Sequence, residues 1–204
     1  MSRTWSRCAW CGISVAKART RAARRSSGPR TNAAARIELL VLDVDGVLTD
    51  GSIYLDDLGH ETKRFHVRDG FGIKLWQKLG FEVAIITGRS GRALAHRARE
   101  LGIRHVVQGA ADKWTALERI TKRLGKRADQ VACIGDDWPE LAMMRRVGLG
   151  IAVADADPRV RGTAEWTTAA AGGHGAVREV IDRLIEAKGL MKKAVSLYDE
   201  PHGA

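Results

Sequence analysis

The sequence contains few of the residues that stabilise small secreted proteins or membrane spans. Its 204 residues include 3 cysteines, 4 prolines and only 5% aromatic residues. So few cysteines exclude a disulfide-rich scaffold and favour a reducing compartment, so we expect a cytoplasmic protein. No apolar run approaches the roughly 18 residues that a membrane helix needs, so we expect no membrane partner. A hydrophobic content of 45% fits a globular α/β protein with a substantial core.

The positive charge of the chain is concentrated at its N-terminus. The formal net charge is +10, and residues 1–35 hold eight of the 34 Lys and Arg residues but none of the 24 acidic ones. The other 26 basic residues nearly balance the acids, which argues against a nucleic-acid partner. We interpret residues 1–35 as a disordered, dispensable leader; a targeting segment and a basic arm for an anionic surface are alternatives. Cys8 and Cys11 form a lone CxxC pair there, more typical of incidental thiols than of a zinc site.

From Ile37 onward, short apolar runs alternate with segments of helical periodicity. This alternation predicts an α/β fold, a Rossmann-like parallel sheet flanked by helices. We expect one domain over residues 36–188, with Cys133 in its core, and a C-terminal tail over residues 189–204. The predicted strands are 37–43, 82–87, 105–108, 131–136 and 149–154. The predicted helices are 69–79, 91–101, 112–124, 138–147 and 176–187.

One segment, residues 51–70, departs from this alternation. It is predicted to form two short strands around the turn Asp57-Leu58-Gly59, which makes it a β-hairpin inserted before the first helix. A two-stranded ribbon is marginally stable when alone in water. The hairpin therefore needs a surface to pack on.

Polar residues follow the predicted strands at their carboxyl ends, the edge at which open α/β sheets bind ligands. Asp43 and Asp45 end the first strand, and alternate residues of a strand point to the same face, so both carboxylates should emerge together. Each such residue alone has a simpler explanation as a helix cap or turn residue, but their recurrence at several strand ends indicates a site. The others are Thr87, Gly88 and Arg89 after the second strand, Lys113 after the third and Asp136 after the fourth.

These residue types suit the hydrolysis of a phosphate ester. Asp43 can attack phosphorus to form an aspartyl phosphate. Asp45 can protonate the leaving group and then activate the water that cleaves this intermediate. Asp43, Asp136 and a carbonyl near Asp45 can hold Mg²⁺, a cation that prefers oxygen ligands and bridges to phosphate. The groups that can stabilise the phosphoryl oxygens are Lys113, the Thr87 hydroxyl and the Gly88 amide.

Four stretches, "LDVDGVLTDG", "IITGR", "GAADK" and "IGDDWPE", resemble the motifs of haloacid dehalogenase-like (HAD-like) phosphatases. With "VRDGFGIKLW", "GLGIAVADADP" and "GGHGAVREVIDRL", they make the chain similar to the 3-deoxy-D-manno-octulosonate 8-phosphate phosphatases. Close relatives of these enzymes act on phosphates of nonulosonic acids such as 2-keto-3-deoxynononate and N-acylneuraminate. The resemblance implies a nucleophile at Asp43, an acid/base at Asp45, and Mg²⁺ held by Asp43, Asp136 and the Asp45 carbonyl. It also implies a phosphate site at Thr87 and Lys113.

Two stretches depart from the family pattern. Glu140 and Ala142 stand where the family more often shows Asp and Pro, which affects the surroundings of the magnesium site. His174 stands where relatives commonly have Arg, and Arg suits a carboxylate better. The second departure bears on which sugar acid is bound.

The spacing of the motifs leaves no room for a cap domain. Asp43 and Thr87 are 44 positions apart, and Lys113 and Asp136 are 23 apart. An uncapped site is covered either by a macromolecular substrate or by another subunit. In the resembled family a tetramer closes the site with neighbouring hairpins and tails. We therefore expect a homo-oligomer, a tetramer, in which Arg68 and Arg89 meet the substrate carboxylate.

The predicted function is that of a Mg²⁺-dependent phosphatase acting on a 2-keto-3-deoxy sugar acid phosphate. 3-Deoxy-D-manno-octulosonate 8-phosphate is the first candidate, and a nonulosonate 9-phosphate is the alternative. A capless phosphatase for a macromolecule such as a nucleic-acid end is a second hypothesis, supported only by the basic leader. A non-catalytic module that retains the fold is a third, against which the intact set Asp43, Asp45, Lys113 and Asp136 argues.

Overall fold

A sheet of six parallel strands forms the centre of the computed structural model, which describes residues 29–199. A separate two-stranded antiparallel ribbon accompanies it. The strands are β1 (Leu39–Leu42), β2 (Tyr54–Leu55), β3 (Glu61–Thr62), β4 (Glu82–Ile86), β5 (His105–Val107), β6 (Val131–Gly135), β7 (Leu149–Ala152) and β8 (Trp166–Thr167). The helices are α1 (Pro29–Arg36), α2 (Val67–Lys78), α3 (Arg92–Glu100), α4 (Lys113–Leu124), α5 (Leu141–Met144), α6 (Pro158–Thr163), α7 (Ala176–Ala187) and α8 (Met191–Asp199).

Strand β1 lies in the middle of the sheet, whose order is β5-β4-β1-β6-β7-β8. All four of its residues are buried, as expected for an apolar strand covered on both faces. Leu42 is in register with Ile85 of β4 and Ile134 of β6. Because the three strands are parallel and in step, the residues that follow them meet at one edge of the sheet.

The helices cover the sheet with amphipathic faces. In α7, the buried residues Val177, Val180, Ile181 and Leu184 recur at intervals of three and four, which places them on one side of the helix. This side packs against α2, while α4 packs against α5. The α/β fold and all five predicted strands are therefore confirmed, with strand ends one or two residues shorter than predicted.

Short elements are where the predictions differ from the structure. The helix predicted over 138–147 is a 3-10 turn, Trp138–Glu140, followed by the single-turn helix α5. Pro139 lies in the first turn of this segment, where proline is tolerated because its missing N–H would have no partner there anyway. Strand β8 and helix α6 were not predicted, because two and six residues are too few to show periodicity.

The predicted hairpin is present but less regular than expected. Strands β2 and β3 pair antiparallel, with Tyr54 opposite Thr62. Gly59, at φ +77°, closes the turn by donating its amide hydrogen to the Asp56 carbonyl over 2.9 Å. Among the described residues, nothing larger than this hairpin is inserted between β1 and α2, which agrees with a site without a cap domain.

A helix lies at each end of the predicted domain. Helix α1 includes the last residues of the predicted leader, and Ala34 is fully buried. Ala34 belongs to the buried core, so the end of α1 packs on the domain. Helix α8 likewise lies within the predicted tail. Residues 1–28, with the Cys8 and Cys11 pair, lie outside the described residues, and none of the described helices is long and apolar enough to cross a membrane.

We expect two truncations to separate the leader from the fold. A chain that starts at Pro29 should keep the melting temperature of the full chain. A chain that starts at Ile37 should melt roughly 2–8 °C lower, which corresponds to a loss of about 1–2 kcal/mol in the free energy of unfolding. The second truncation removes the buried Ala34 and the Ala35 carbonyl that accepts a hydrogen bond from Lys188 over 2.9 Å. Calorimetry of both chains measures this, and equal melting temperatures would show that α1 adds no stability.

Candidate active site

The site is built on the turn that follows β1. The Asp43 amide still donates to the Ile134 carbonyl of β6 over 3.3 Å, so this residue continues the sheet register. The chain then turns back, and the amides of Leu48 and Thr49 both donate to the Val44 carbonyl. Gly46 has φ +90° and lies against the Asp136 side chain, where a Cβ atom would collide with its carboxylate. Glycine at this position lets the turn approach the end of β6.

Lys113 enters the site from the first turn of α4. Asp112 caps this helix by accepting the amide hydrogens of Trp114 and Thr115, which fixes where the helix begins. The Lys113 ammonium donates to Asp43 Oδ1 over 2.7 Å and also pairs with Glu140. Burial opposes its charge, but the attraction of Asp43 and Glu140 outweighs burial and raises the pKa of Lys113.

Three carboxylates converge beside this lysine. Ligand oxygens of Asp43, Asp136 and Glu140 lie within 4.8 Å of one another. Burial raises the pKa of both Asp43 and Glu140, although Lys113 acts in the opposite direction. Burial, and then the charges of Asp43 and Glu140, raise the pKa of Asp136 to about 7. One ammonium does not neutralise two buried carboxylates and a third that is half-buried, so the site calls for a further cation.

This donor set fits Mg²⁺. The ion prefers carboxylate oxygens, usually takes only one or two from the protein, and keeps open positions for water and phosphate. Asp43 and Asp136 supply such oxygens at the sheet edge, while Glu140 already pairs with Lys113. The predicted pair of side-chain ligands is therefore brought together.

The loop after β4 forms the opposite wall. Thr87 is buried, and its hydroxyl accepts the Arg89 amide hydrogen over 3.3 Å. The Arg89 side chain is half exposed and donates to Glu61 of the hairpin over 2.7 Å. A cavity of about 540 Å³ lies between these walls. The residues lining it include Asp43, Asp45, Thr87, Gly88, Arg89, Lys113, Asp136 and Glu140.

Asp45 is held by the hairpin. The Lys63 ammonium donates to Asp45 Oδ1 over 2.5 Å and lies 3.3 Å from Glu61. Arg89 Nε lies 3.7 Å from Asp45 Oδ2. The Asp45 carboxylate is thus flanked by two cations, one from the hairpin and one from the loop after β4.

Arg68 differs from the other predicted residues because it does not line this cavity. It is exposed and borders a separate depression together with His174. His174 Nδ1 lies 2.7 Å from the Gly172 carbonyl, and its Nε2 lies 3.2 Å from the Arg64 guanidinium. Within one chain, therefore, the two arginines predicted to meet a substrate carboxylate face different depressions.

Sequence reasoning missed two charged residues of the site. Glu140 was noted as a departure from the family pattern, but its contact with Lys113 was not foreseen. Its position only four residues after Asp136 was the one sequence feature that placed its carboxylate close to the site. Lys63 lies in a short hairpin of alternating polar and apolar residues. This pattern predicts that a lysine side chain is exposed to solvent. No local feature indicated its contact with Asp45.

Fold and site together define a class: hydrolases with a Rossmann-like sheet, an aspartate pair after the central strand, and a lysine and further carboxylates on the neighbouring loops. The haloacid dehalogenase-like hydrolase family matches residues 102–181. The 3-deoxy-D-manno-octulosonate 8-phosphate phosphatase of Escherichia coli K12 is 46% identical over 161 residues, which cover 79% of this chain and 86% of that protein. The chain belongs to this phosphatase family, within the haloacid dehalogenase-like hydrolases.

Solved structures agree with this assignment. The phosphatase of the same name from Yersinia pestis is 45% identical, with a TM-score of 0.78 over 79% of this chain and 88% of that one. The one from Moraxella catarrhalis was solved in complex with magnesium ion, phosphate ion and a KDO molecule. It is 41% identical, with a TM-score of 0.81 over 83% of this chain and 97% of that one.

We expect Mg²⁺ to stabilise the protein through Asp136. At a Mg²⁺ concentration 100 times the dissociation constant, binding to the folded state adds about 2.7 kcal/mol to the free energy of unfolding. In Asp136→Asn this gain should largely vanish, because an amide is a poorer ligand than a carboxylate. Thermal unfolding with and without Mg²⁺ measures the gain, and Asp199→Asn, the same change on an exposed residue, should keep it. An undiminished gain in Asp136→Asn would exclude this residue as a ligand.

Proposed function

We propose that this protein hydrolyses 3-deoxy-D-manno-octulosonate 8-phosphate to the free sugar acid and inorganic phosphate, in the cytoplasm. The observation that carries the proposal is the convergence of Asp43, Asp45, Lys113 and Asp136 on one cavity. Phosphatases whose aligned sequences are 41–46% identical to this chain are named for this substrate. Asp45 favours phosphate chemistry within the superfamily, because a leaving alkoxide needs an acid/base group.

The first half of the reaction transfers the phosphoryl group to the protein. Asp43 attacks phosphorus while the bond from phosphorus to the sugar oxygen breaks. Lys113, 2.7 Å from Asp43, offsets the charge of nucleophile and phosphate, and Thr87 and Gly88 donate hydrogen bonds to phosphoryl oxygens. Asp45 gives its proton to the leaving sugar oxygen. Mg²⁺, held by Asp43, Asp136 and the Asp45 carbonyl, supplies positive charge to the phosphate when bound.

The second half returns the protein to its starting state. Asp45, now a carboxylate, takes a proton from a water molecule. That water attacks phosphorus, and the bond between phosphorus and Asp43 breaks. One group therefore acts first as acid and then as base, which balances the protons over the cycle.

Cations at the cavity rim support a substrate that carries a carboxylate. Arg89 lies beside Asp45 and suits a substrate carboxylate, and Arg68 is proposed to reach the site of a neighbouring subunit. A nonulosonate 9-phosphate shares the carboxylate and remains the alternative substrate. Beyond residue 35 the chain carries 26 basic residues against 24 acidic ones, a near-neutral balance that disfavours a nucleic-acid substrate.

The assembly is proposed to be a homotetramer formed through the hairpin. Several apolar side chains of this hairpin face outward, although such groups normally seek a partner surface. Their exposed fractions are 56% for Ile53, 46% for Tyr54, 63% for Leu55 and 81% for Leu58. Pairing of hairpins would cover these side chains and shield the uncapped site from water at the same time.

We expect Asp43→Asn to abolish turnover without unfolding the protein, because an amide is a poor nucleophile. Activity should fall well below one hundredth of wild type. Phosphate release measures the activity, and circular dichroism verifies the fold. Retention of more than about a hundredth of the activity in a folded variant would contradict the assignment of Asp43 as nucleophile.

The substrate is tested by a phosphate-release screen with and without Mg²⁺. We expect the highest kcat/KM for 3-deoxy-D-manno-octulosonate 8-phosphate, with lower values for nonulosonate 9-phosphates and for 5′-phosphorylated oligonucleotides. Chelation of Mg²⁺ should remove the activity. A preference for a nonulosonate 9-phosphate would establish the alternative substrate, and a preference for the oligonucleotide would refute the proposal.

The assembly is tested by the double variant Leu55→Asp with Leu58→Asp. Charged groups in the proposed interface should dissociate the tetramer, and activity on the sugar acid phosphate should fall with it. Lys122→Asp places the same charged side chain on an exposed position of α4, outside the hairpin and the tail, and should leave the tetramer intact. Sedimentation equilibrium measures the mass, and a fully active wild-type monomer would contradict the proposed assembly.

A further inference from the structure

Lys63 is the most deeply buried cation of the hairpin, and its partner is a catalytic carboxylate. Only 4% of its side chain is exposed, and its ammonium donates to Asp45 Oδ1 over 2.5 Å. Taking a lysine ammonium out of water is costly unless a partner compensates it. This compensation comes from Asp45 and from Glu61, whose carboxylate lies 3.3 Å from the ammonium, so the orientations of Lys63 and Asp45 depend on each other.

The hairpin does not need Lys63 as an attachment. Arg64, the next residue, pairs with Asp50 over 2.7 Å and is 56% exposed, as is typical of a surface ion pair. Glu61 pairs with Arg89 over 2.7 Å. These two contacts already connect the hairpin to the turn after β1 and to the loop after β4.

The two oxygens of Asp45 have different surroundings. Oδ1 accepts the short hydrogen bond from Lys63, whereas Oδ2 is buried and has no hydrogen-bond donor among the described residues. Arg89 Nε lies 3.7 Å from Oδ2, beyond hydrogen-bond distance. Asp45 lines the cavity together with Asp43. Oδ2 is therefore the oxygen that has no hydrogen-bond partner of its own, and it can exchange a proton with a bound substrate once the side chains that shield it move aside.

We propose that Lys63 is a positioning residue that holds Asp45 by Oδ1, so that Oδ2 carries the proton of the reaction. This inference rests on the proposed role of Asp45 as acid and base. In the first step, the bond between phosphorus and Asp43 forms while the bond between phosphorus and the sugar oxygen breaks. Oδ2 gives its proton to that sugar oxygen. Oδ2 then takes a proton from water as the water attacks phosphorus and the bond to Asp43 breaks.

Two substrates that differ in their leaving group test this role. An alkyl phosphate such as the sugar acid phosphate needs a proton on its leaving oxygen, whereas p-nitrophenolate leaves without one. In Lys63→Met, kcat/KM for the alkyl phosphate should fall roughly 10- to 100-fold, part of the 10²–10⁴ that general acid–base catalysis contributes. For p-nitrophenyl phosphate, kcat/KM should change less than about threefold. The value of kcat/KM reports only the steps up to release of the leaving group, and p-nitrophenolate needs no proton in those steps.

A second readout follows the intermediate. Hydrolysis of the aspartyl phosphate needs Asp45 as base, so in Lys63→Met this step should limit the turnover of p-nitrophenyl phosphate. Rapid mixing should then show a burst of p-nitrophenolate close to one equivalent of enzyme, larger than in wild type. Lys63→Arg keeps the charge and should restore part of the lost kcat/KM, and it also serves if Lys63→Met does not fold.

Two further variants complete the test. Arg64→Met removes a neighbouring hairpin ion pair without touching Asp45, and it should leave the ratio of the two kcat/KM values at its wild-type level. Asp45→Asn should change this ratio in the same direction as Lys63→Met, and more strongly.

The outcomes are separable. Equal losses on both substrates in Lys63→Met, or no loss, would overturn the positioning role. If Asp45→Asn does not change the ratio of the two kcat/KM values, both the role of Asp45 as acid and base and the positioning role of Lys63 are wrong. If the wild type hydrolyses alkyl phosphates but no sugar acid phosphate, the proposed substrate is wrong, and the ratio still decides the role of Lys63.

Discussion

The site depends on the interaction of one buried ammonium with two buried carboxylates. Lys113 contacts both Asp43 and Glu140, and without it either acid would be a buried charge with no countercharge, which destabilises a protein strongly. Asp136 adds a third carboxylate, so the group as a whole remains short of positive charge. A bound metal ion relieves this shortage, and it also offsets the negative charge of a phosphate. The excess of carboxylates destabilises the fold, and the same excess favours the binding of a cation.

The geometry of the sheet makes this concentration of charge possible. Strands β4, β1 and β6 are parallel, adjacent and in register, so the residues after them are brought within a few ångströms without long loops. Gly46 lets the turn after β1 approach Asp136, and the Asp112 cap fixes the start of the helix that carries Lys113. The rigid parts of the site thus come from the sheet and from one capped helix.

The hairpin supplies a different kind of contribution. Its paired strands are two residues each and its apolar side chains face outward, so within the described chain it is held mainly by ion pairs. Two of these, Lys63 with Asp45 and Arg89 with Glu61, involve residues of the proposed reaction. The element proposed to join subunits therefore also contacts the group proposed to move protons. Assembly and acid–base chemistry share one structural support, which suits an enzyme without a cap domain.

The sequence by itself determined the α/β fold, the five predicted strands and the strand ends where Asp43, Thr87 and Asp136 gather. These features depend on hydrophobic periodicity and on the direction of parallel strands, which are local properties. Tertiary structure alone decided the contacts of Lys63 with Asp45 and of Lys113 with Glu140, and it placed Arg68 outside the cavity. Such contacts join residues far apart in the chain, and whether a charged side chain is solvated or buried depends on what packs around it.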